Sequence, residues 1–280
     1  GCAGQCGACY EFVTEWGSPG TAPGEFDTPA GVAVVGDTVY VTDTLNNRLQ
    51  TFQRDGTPST EWGVLPQPWG IALAATPGHF YTTNSTNGSL VYVYQDGSDF
   101  TIIWEVNGAE SGGPGAFNQI LGVAVDSAGD VYAADSFNFR VAKYDASGAF
   151  LGQWGGESAG ADAYLYPWGL ASATVGGVIA VYVADWTNNR IRVFSADGNL
   201  VNEWGSEGNA PGQFQFPQGV ATDAIGNVYV GDTGNHRVQK FTHDGDFVCQ
   251  WGSAGSGPGE LNPPIGVAID AEGSVFVTDS

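Results

Sequence analysis

Three of the nine tryptophans stand outside the regular pattern of this sequence and could contact a ligand. Trp69 and Trp168 each lie in a Pro-Trp-Gly triplet, and Trp186 directly follows Asp185, where the equivalent turns carry Thr or Ser. An indole ring offers a broad apolar face and one N–H donor, so exposed tryptophans stack on sugar rings or anchor peptides. We therefore predict Trp69, Trp168 and Trp186 as ligand-contact residues, with local packing as the alternative.

Residues for catalysis or metal binding are sparse. The chain has only three histidines, His79, His236 and His243, and no phosphate-binding Gly-Lys-Ser/Thr. The sequence therefore assigns no catalytic residue and no metal ligand, and an enzyme is the less favoured interpretation. Asp-rich turns at 126–130 and 270–273 could hold Ca²⁺, although they lack the ligand density of a calcium loop. We expect no required cofactor, with Ca²⁺ as an option.

The charge balance restricts the partners. Asp and Glu outnumber Lys and Arg by 30 to 8, which gives a net charge of −22 and an isoelectric point near 4.1. Neutralising phosphates requires clustered cations, so nucleic acid and anionic membrane are poor partners. The longest apolar stretch, at 175–184, is about half a bilayer span and contains two glycines, so we predict no transmembrane segment.

Cysteines and glycosylation sequons indicate a location outside the cell. Asn84 and Asn87 begin Asn-x-Ser/Thr sequons and are glycosylation candidates. Four cysteines suggest disulfides, which form in oxidising compartments: Cys2, Cys6, Cys9 and Cys249. Three pairings are open; one joins Cys9 to Cys249, and lipidation of Cys2 is a further alternative. We expect an extracellular or cell-surface glycoprotein with disulfides.

These residues sit in a repeated framework. Two markers recur together at intervals of 41 to 51 residues: Trp16, Trp62, Trp104, Trp154, Trp204 and Trp251, and Asp43, Asn84, Asp135, Asp185, Asp232 and Asp279. Short runs of β-branched and aromatic residues lie between them, separated by Gly/Asp turns. Four such strands in a period of this length are typical of a β-propeller blade. The sequence therefore predicts an all-β, six-bladed β-propeller.

Two motifs resemble those of the NHL-repeat propellers. Pro-Gly-x-Phe occurs at 23–26, 114–117 and 211–214, with Leu261 replacing Phe in a fourth copy. An Asp-x-x-Asn-x-Arg turn begins at Asp43, Asp135, Asp185 and Asp232 and ends at Arg48, Arg140, Arg190 and Arg237. The resemblance covers about residues 10–280. We predict that these Asp and Arg residues are structural, because a carboxylate can accept bonds from loop amides and from the guanidinium. Only Arg54, Arg192, Lys143 and Lys240 remain as free cations in this interpretation.

The two ends of the chain are predicted to share one blade. Residues 1–9 form a Cys/Gly-rich segment, and 10–280 form the propeller. Residues 10–16 match a fourth strand, so we expect the N-terminal strand to pair with the C-terminal blade and close the ring. The third strand of this sixth blade is missing. Either the chain continues beyond Ser280, or another molecule supplies that strand.

The favoured function is non-catalytic. The resemblance is compatible with binding and with a few lyase or hydrolase activities. We expect an extracellular or surface-displayed propeller for protein or glycan interaction or for structural assembly, including self-association through the sixth blade. The alternative is a divalent-cation-dependent lyase or lactonase with its site at the central channel.

Overall fold

The computed structural model describes residues 10–63, 65–86, 88–96, 99–106, 117–156 and 166–280. These ranges contain 22 strands and short 3₁₀ turns at Ser136–Asn138, Trp186–Asn188 and Thr233–Asn235. None of the helical segments in these ranges has the length and apolar character that crossing a bilayer requires.

Five antiparallel four-stranded sheets form the blades of a β-propeller, in which neighbours along the chain are neighbours in the sheet. Blade 1 contains β1 (Pro29–Val35), β2 (Thr38–Asp43), β3 (Arg48–Gln53) and β4 (Pro58–Gly63). Blade 2 contains β5 (Pro68–Leu73), β6 (His79–Asn84), β7 (Ser89–Asp96) and β8 (Asp99–Val106). Blade 3 contains β9 (Ile120–Val125), β10 (Val131–Asp135), β11 (Arg140–Tyr144) and β12 (Phe150–Gly155).

Blades 4 and 5 complete the four-stranded sheets. Blade 4 contains β13 (Pro167–Val175), β14 (Val178–Asp185), β15 (Arg190–Ser195) and β16 (Leu200–Trp204). Blade 5 contains β17 (Pro217–Thr222), β18 (Val228–Asp232), β19 (Arg237–Phe241) and β20 (Phe247–Trp251). A two-stranded hairpin follows, made of β21 (Pro264–Ile269) and β22 (Val275–Asp279). The hairpin contacts β17 of blade 5 and β1 of blade 1.

The core lies between adjacent blades. Second strands such as β10 and β18 are buried along their whole length, because a sheet covered on both faces has no solvent-facing side chains. Tryptophans near the ends of outer strands also cross between blades: Trp154 packs on Phe194 of blade 4, and Trp204 packs on Phe241 of blade 5. Each blade is thus stabilised by apolar contacts with the next blade.

The prediction of six blades is wrong. The structure has five four-stranded blades, and the sixth marker set corresponds only to the β21–β22 hairpin. Residues 10–16 form no strand, so the predicted closure by strand pairing is wrong as well. The physical reason is the hydrogen-bond pattern: an outer strand pairs with a third strand, and β22 has only β21 as its partner among the described residues.

The segment from residue 10 nevertheless packs beside the hairpin through side chains. The hydroxyls of Tyr10 and Tyr229 are 2.6 Å apart, and the Tyr10 ring lies 4.6 Å from that of Trp251. Trp16 lies between Phe52 and Phe276, at centroid distances of 6.1 and 6.5 Å. This segment therefore joins blade 5 to blade 1 by aromatic contacts. Residues 1–9 lie outside the described ranges, so a separate N-terminal segment stays a prediction.

The Asp-x-x-Asn-x-Arg turns fix the loops that lead into the inner strands. Each Asp accepts a bond from Nε of the Arg, and the four distances are 2.7, 2.6, 2.8 and 2.7 Å for Asp43–Arg48, Asp135–Arg140, Asp185–Arg190 and Asp232–Arg237. The other oxygen of Asp232 accepts the backbone N–H of Gln215 at 2.7 Å. Arg237 also donates to three backbone oxygens of the preceding loop.

Blade 2 lacks this ion pair. Asn84 replaces the Asp, and Ser89 faces it across the strand pair, where Arg would otherwise stand. The Asn84 side chain accepts the backbone N–H of Thr86 at 2.9 Å. Asn84 is only 6% exposed, so a glycan could be attached there only if the turn opened.

We predict that Asp232→Ala lowers the free energy of unfolding by about 3–5 kcal/mol, because it leaves the buried Arg237 without its counter-charge. Urea unfolding followed by tryptophan fluorescence measures the loss. Asp244→Ala is the matched control, since that carboxylate is largely exposed, and it should leave stability unchanged. A loss below about 1 kcal/mol for Asp232→Ala would contradict the structural role of the turn.

Candidate functional site

Six inner strands surround the central axis: the first strand of each blade and β21. They enclose a cavity of about 70 Å³. The first residue of an inner strand pairs with the first residue of a repeat turn, as Pro167 does with Asp185 and Pro68 does with Asn84. The second residues therefore lie at the end of the channel beside these turns, which we call the mouth: Ala30, Trp69, Leu121, Trp168, Gln218 and Ile265.

A ring of glycines sets the width of the channel. The third residue of every inner strand is glycine, at Gly31, Gly70, Gly122, Gly169, Gly219 and Gly266. A Cβ on any of them would lie 2.1–2.4 Å from a backbone oxygen of the next inner strand. At these positions, successive inner strands thus lie too close together for any residue with a Cβ. This ring was not predicted from the sequence, although its signal, one Gly at a fixed place in each repeat, is visible there.

The hairpin takes part in the same ring. Gly266 faces the backbone oxygen of Ala30 in blade 1. Thr278 Oγ1 donates to that oxygen at 2.7 Å and accepts the N–H of Gly266 at 2.7 Å. The inner wall of the channel is therefore continuous across the junction between β21 and β1.

The structure brings the three predicted tryptophans together at the mouth. The ring centroids of Trp69 and Trp168 are 6.0 Å apart, and those of Trp168 and Trp186 are 5.0 Å apart. Trp186 also lies 5.1 Å from Phe216 and 5.5 Å from Tyr166. We call these five residues the channel-mouth cluster. Its tryptophans are half-buried, and Phe216 is 46% exposed, so the cluster presents aromatic surface to solvent.

Trp186 occupies a position that elsewhere serves the fold. The residue after the turn Asp is Thr44, Ser136 or Thr233 in blades 1, 3 and 5. Its hydroxyl donates to the backbone oxygen of the next blade's first residue, at 2.7, 2.6 and 2.8 Å for Pro68, Pro167 and Pro264. A hydrogen bond of this kind contributes about 0.5–1.5 kcal/mol. Trp186 cannot make it, so the tryptophan replaces a stabilising contact between blades with an aromatic ring at the mouth.

Polar atoms at the mouth are left without partners. Nε1 of Trp168 and Nε1 of Trp186 are buried donors with no acceptor, and Oε1 of Gln218 is a buried acceptor with no donor, within the part of the chain that the structure describes. Buried unpaired groups of this kind each cost about 1–3 kcal/mol. A ligand that carries both acceptors and donors could satisfy them after small movements of the rings.

The carboxylate of the nearby blade 3 turn is buried and hydrogen-bonded. Burial raises the pKa of Asp135, while the N–H of Asn118, the Asn138 amide and the Arg140 guanidinium act in the opposite direction. The channel wall is lined by glycine, aliphatic, tryptophan and glutamine side chains. Such a wall offers stacking and hydrogen bonding, and none of its described lining residues is a proton-transfer group.

The remaining predicted residues lie apart from the mouth. Cys249 is buried on β20, whereas Cys2, Cys6, Cys9 and Asn87 lie outside the described residues. Asp126 and Asp270, in the two Asp-rich turns, accept backbone N–H groups of their own turns. Over the described ranges, no group of three or more His, Cys, Asp or Glu side chains is placed to hold a metal ion.

We predict that Gly169→Ala destabilises the fold by about 1–3 kcal/mol, because its Cβ would lie 2.1 Å from the backbone oxygen of Gln218. Gly152→Ala on β12 is the control, since a Cβ there meets no atom within 4 Å, and it should be neutral or slightly stabilising. Thermal unfolding by circular dichroism compares the two. Equal melting temperatures would show that the inner ring tolerates expansion.

The NHL repeat family model matches residues 26–52, 117–144 and 214–241, in blades 1, 3 and 5. The chain is 29% identical over 130 residues to the human protein "NHL repeat-containing protein 3". That match covers 45% of this chain and only 37% of the human protein. The predicted resemblance to NHL-repeat proteins is confirmed.

Solved structures share the fold at low identity. A protein of unknown function from Bacteroides thetaiotaomicron is 20% identical with a TM-score of 0.73, covering 92% of this chain and 68% of that one. A gluconolactonase from Xanthomonas campestris is 15% identical, with a TM-score of 0.66 and coverage of 90% and 83%. A chain of a nidogen/laminin complex is 18% identical, with a TM-score of 0.58 and coverage of 79% of each chain. These similarities establish a β-propeller and nothing finer.

Proposed function

Because the chain belongs to the NHL-repeat β-propellers, we propose that it is a non-catalytic binding module whose ligand contacts the channel-mouth cluster. One observation carries the proposal: Trp186 stands where three other turns use a hydroxyl to join blades, and it converges there with Trp168 and Trp69. A residue that gives up an inter-blade hydrogen bond at a half-buried, concave position is best explained by binding.

Protein or glycan is the ligand class that we propose. Both present apolar faces for stacking on indole rings, together with polar groups for Trp168 Nε1, Trp186 Nε1 and Gln218 Oε1. The rigid ring would hold these groups in place before the ligand arrives, which reduces the entropy lost on binding. The nidogen/laminin neighbour is a propeller in a protein complex, and it supports the protein alternative by analogy of fold.

A divalent-cation-dependent lyase or lactonase is the competing hypothesis. The likeness to a gluconolactonase favours it by analogy of fold. Such chemistry needs carboxylates or imidazoles that converge on the axis, and the described wall presents aliphatic, tryptophan and glutamine side chains instead. The geometry therefore favours binding over catalysis. Our proposal requires no cofactor, and a Ca²⁺ ion would have a structural role.

The proposal is tested with a triple variant, Trp69→Ala, Trp168→Leu and Trp186→Thr, in which each residue is replaced by its equivalent from another blade. We expect the variant to fold, because Ala30, Leu121 and Thr44 already occupy these positions. Wild type and variant are compared on arrays of immobilised peptides and glycans. Ligands bound by the wild type should lose at least about tenfold in affinity, as expected for removal of central aromatic contacts.

Circular dichroism and melting temperature are the controls for folding of the triple variant. Trp204→Leu removes an aromatic ring that packs between blades 4 and 5, and it should lower stability without changing the pattern of ligands. If the folded triple variant binds the same ligands equally well, the channel-mouth cluster is not the binding site.

The proposal includes an extracellular or cell-surface location. Cys249 is buried, so an unmodified thiol there would be shielded in the folded state but reactive after denaturation. We predict that the natural protein, denatured in iodoacetamide without a reductant, yields no alkylated Cys249 peptide by mass spectrometry, because disulfides persist outside the cytosol. Quantitative alkylation of Cys249 would contradict a disulfide at this residue and remove the support that it gives to this location.

A further inference from the structure

Every positive side chain of this protein is engaged by its own carboxylates. The chain has eight Lys and Arg residues, and each lies within 4.0 Å of an Asp or Glu oxygen. The four cations predicted to be free are not free: Arg54 pairs with Asp270, Lys143 with Asp130, Arg192 with Glu203 and Lys240 with Asp223. Thirty acidic residues face only these eight cations, so the net charge of −22 lies on carboxylates that have no basic side chain to balance them.

The protein also places its cations on aromatic rings. The Lys240 ammonium lies 4.9 Å from the Tyr229 centroid, Lys143 lies 5.4 Å from that of Tyr132, and the Arg192 guanidinium lies 5.9 Å from that of Phe194. Attraction between a cation and the negative face of an aromatic ring is strongest for tryptophan. These three cations contact Tyr or Phe, and the tryptophans of the mouth form contacts with other aromatic rings.

The unpaired polar atoms of the mouth fit a charged side chain on a peptide. Gln218 Oε1 accepts hydrogen bonds, and ammonium and guanidinium groups only donate them. The indole N–H groups of Trp168 and Trp186 need acceptors, which backbone carbonyls of a peptide supply. A single basic residue with its adjoining backbone thus offers both kinds of partner.

We propose that the channel-mouth cluster binds an arginine or lysine side chain presented by a basic segment of a partner protein. The proposal rests on the proposed function and names its ligand class. The acidic surface attracts the segment over a distance of about 10 Å at moderate salt, and the tryptophans hold the cationic group at contact. An acidic glycan would be repelled by the same surface.

The test compares two peptides, acetyl-Ser-Gly-Gly-Arg-Gly-Gly-Ser-amide and the same peptide with citrulline in place of arginine. Citrulline has the shape of arginine without its charge. Binding to the full chain is followed by calorimetry and by the indole N–H signals in ¹H–¹⁵N spectra. At low salt we expect about tenfold tighter binding of the arginine peptide, with shifts of the Trp168 and Trp186 signals and a smaller difference at high salt.

Two variants locate the binding. Trp186→Thr should weaken the arginine peptide about tenfold, whereas Ile225→Thr, at an exposed turn between β17 and β18, should have no effect. Equal binding of both peptides at the cluster overturns the cationic ligand and leaves the proposed function standing. Equal binding of the arginine peptide to wild type and Trp186→Thr assigns it to the acidic surface at large and overturns the site. Failure of both peptides at millimolar concentration overturns the inference, while the arrays decide the proposed function separately.

Discussion

The contact on which the architecture depends is the approach of one inner strand to the next at the glycine ring. The backbone oxygens of neighbouring strands lie where a Cβ would be, so only glycine allows the six inner strands to surround so narrow an axis. Threonines reinforce the contact in part of the ring: Thr42, Thr83 and Thr278 each donate to a backbone oxygen of the neighbouring inner strand. The channel is thus narrow because the backbones of neighbouring inner strands lie against each other at the glycines.

This constraint divides each inner strand into fixed and variable positions. The third residue must be glycine, whereas the second residue points into the mouth and varies between Ala, Trp, Leu, Gln and Ile. The repeat turns also have fixed and variable positions. In blade 4, Asp185 and Arg190 hold the turn, and the variable residue that follows the Asp is Trp186, which contacts Trp168 at the mouth. A rigid ring with substitutable positions at one end is suited to presenting a ligand site without altering the fold.

The parts of this structure that follow from local sequence were predictable, and those that depend on pairing were not. Repeat spacing indicated a propeller, and the irregular tryptophans marked one face, because both signals are read along the chain. The blade count was wrong because Trp16 and Asp279 were counted as markers without a third strand to join them. The pairing of Arg54 with Asp270 was missed for a similar reason, since it joins blade 1 to the hairpin across most of the sequence.

The glycine ring and the acidic surface together explain why the mouth should select for charge. A channel this narrow admits little more than one side chain, so a partner makes its specific contact through a single group at the entrance. Aromatic stacking alone would accept many such groups. The chain pairs its own cations with carboxylates. The remaining negative charge therefore favours cationic over anionic ligands at a site whose lining side chains are uncharged. Selection by charge at long range and by shape at contact thus arises from two separate features of one sequence.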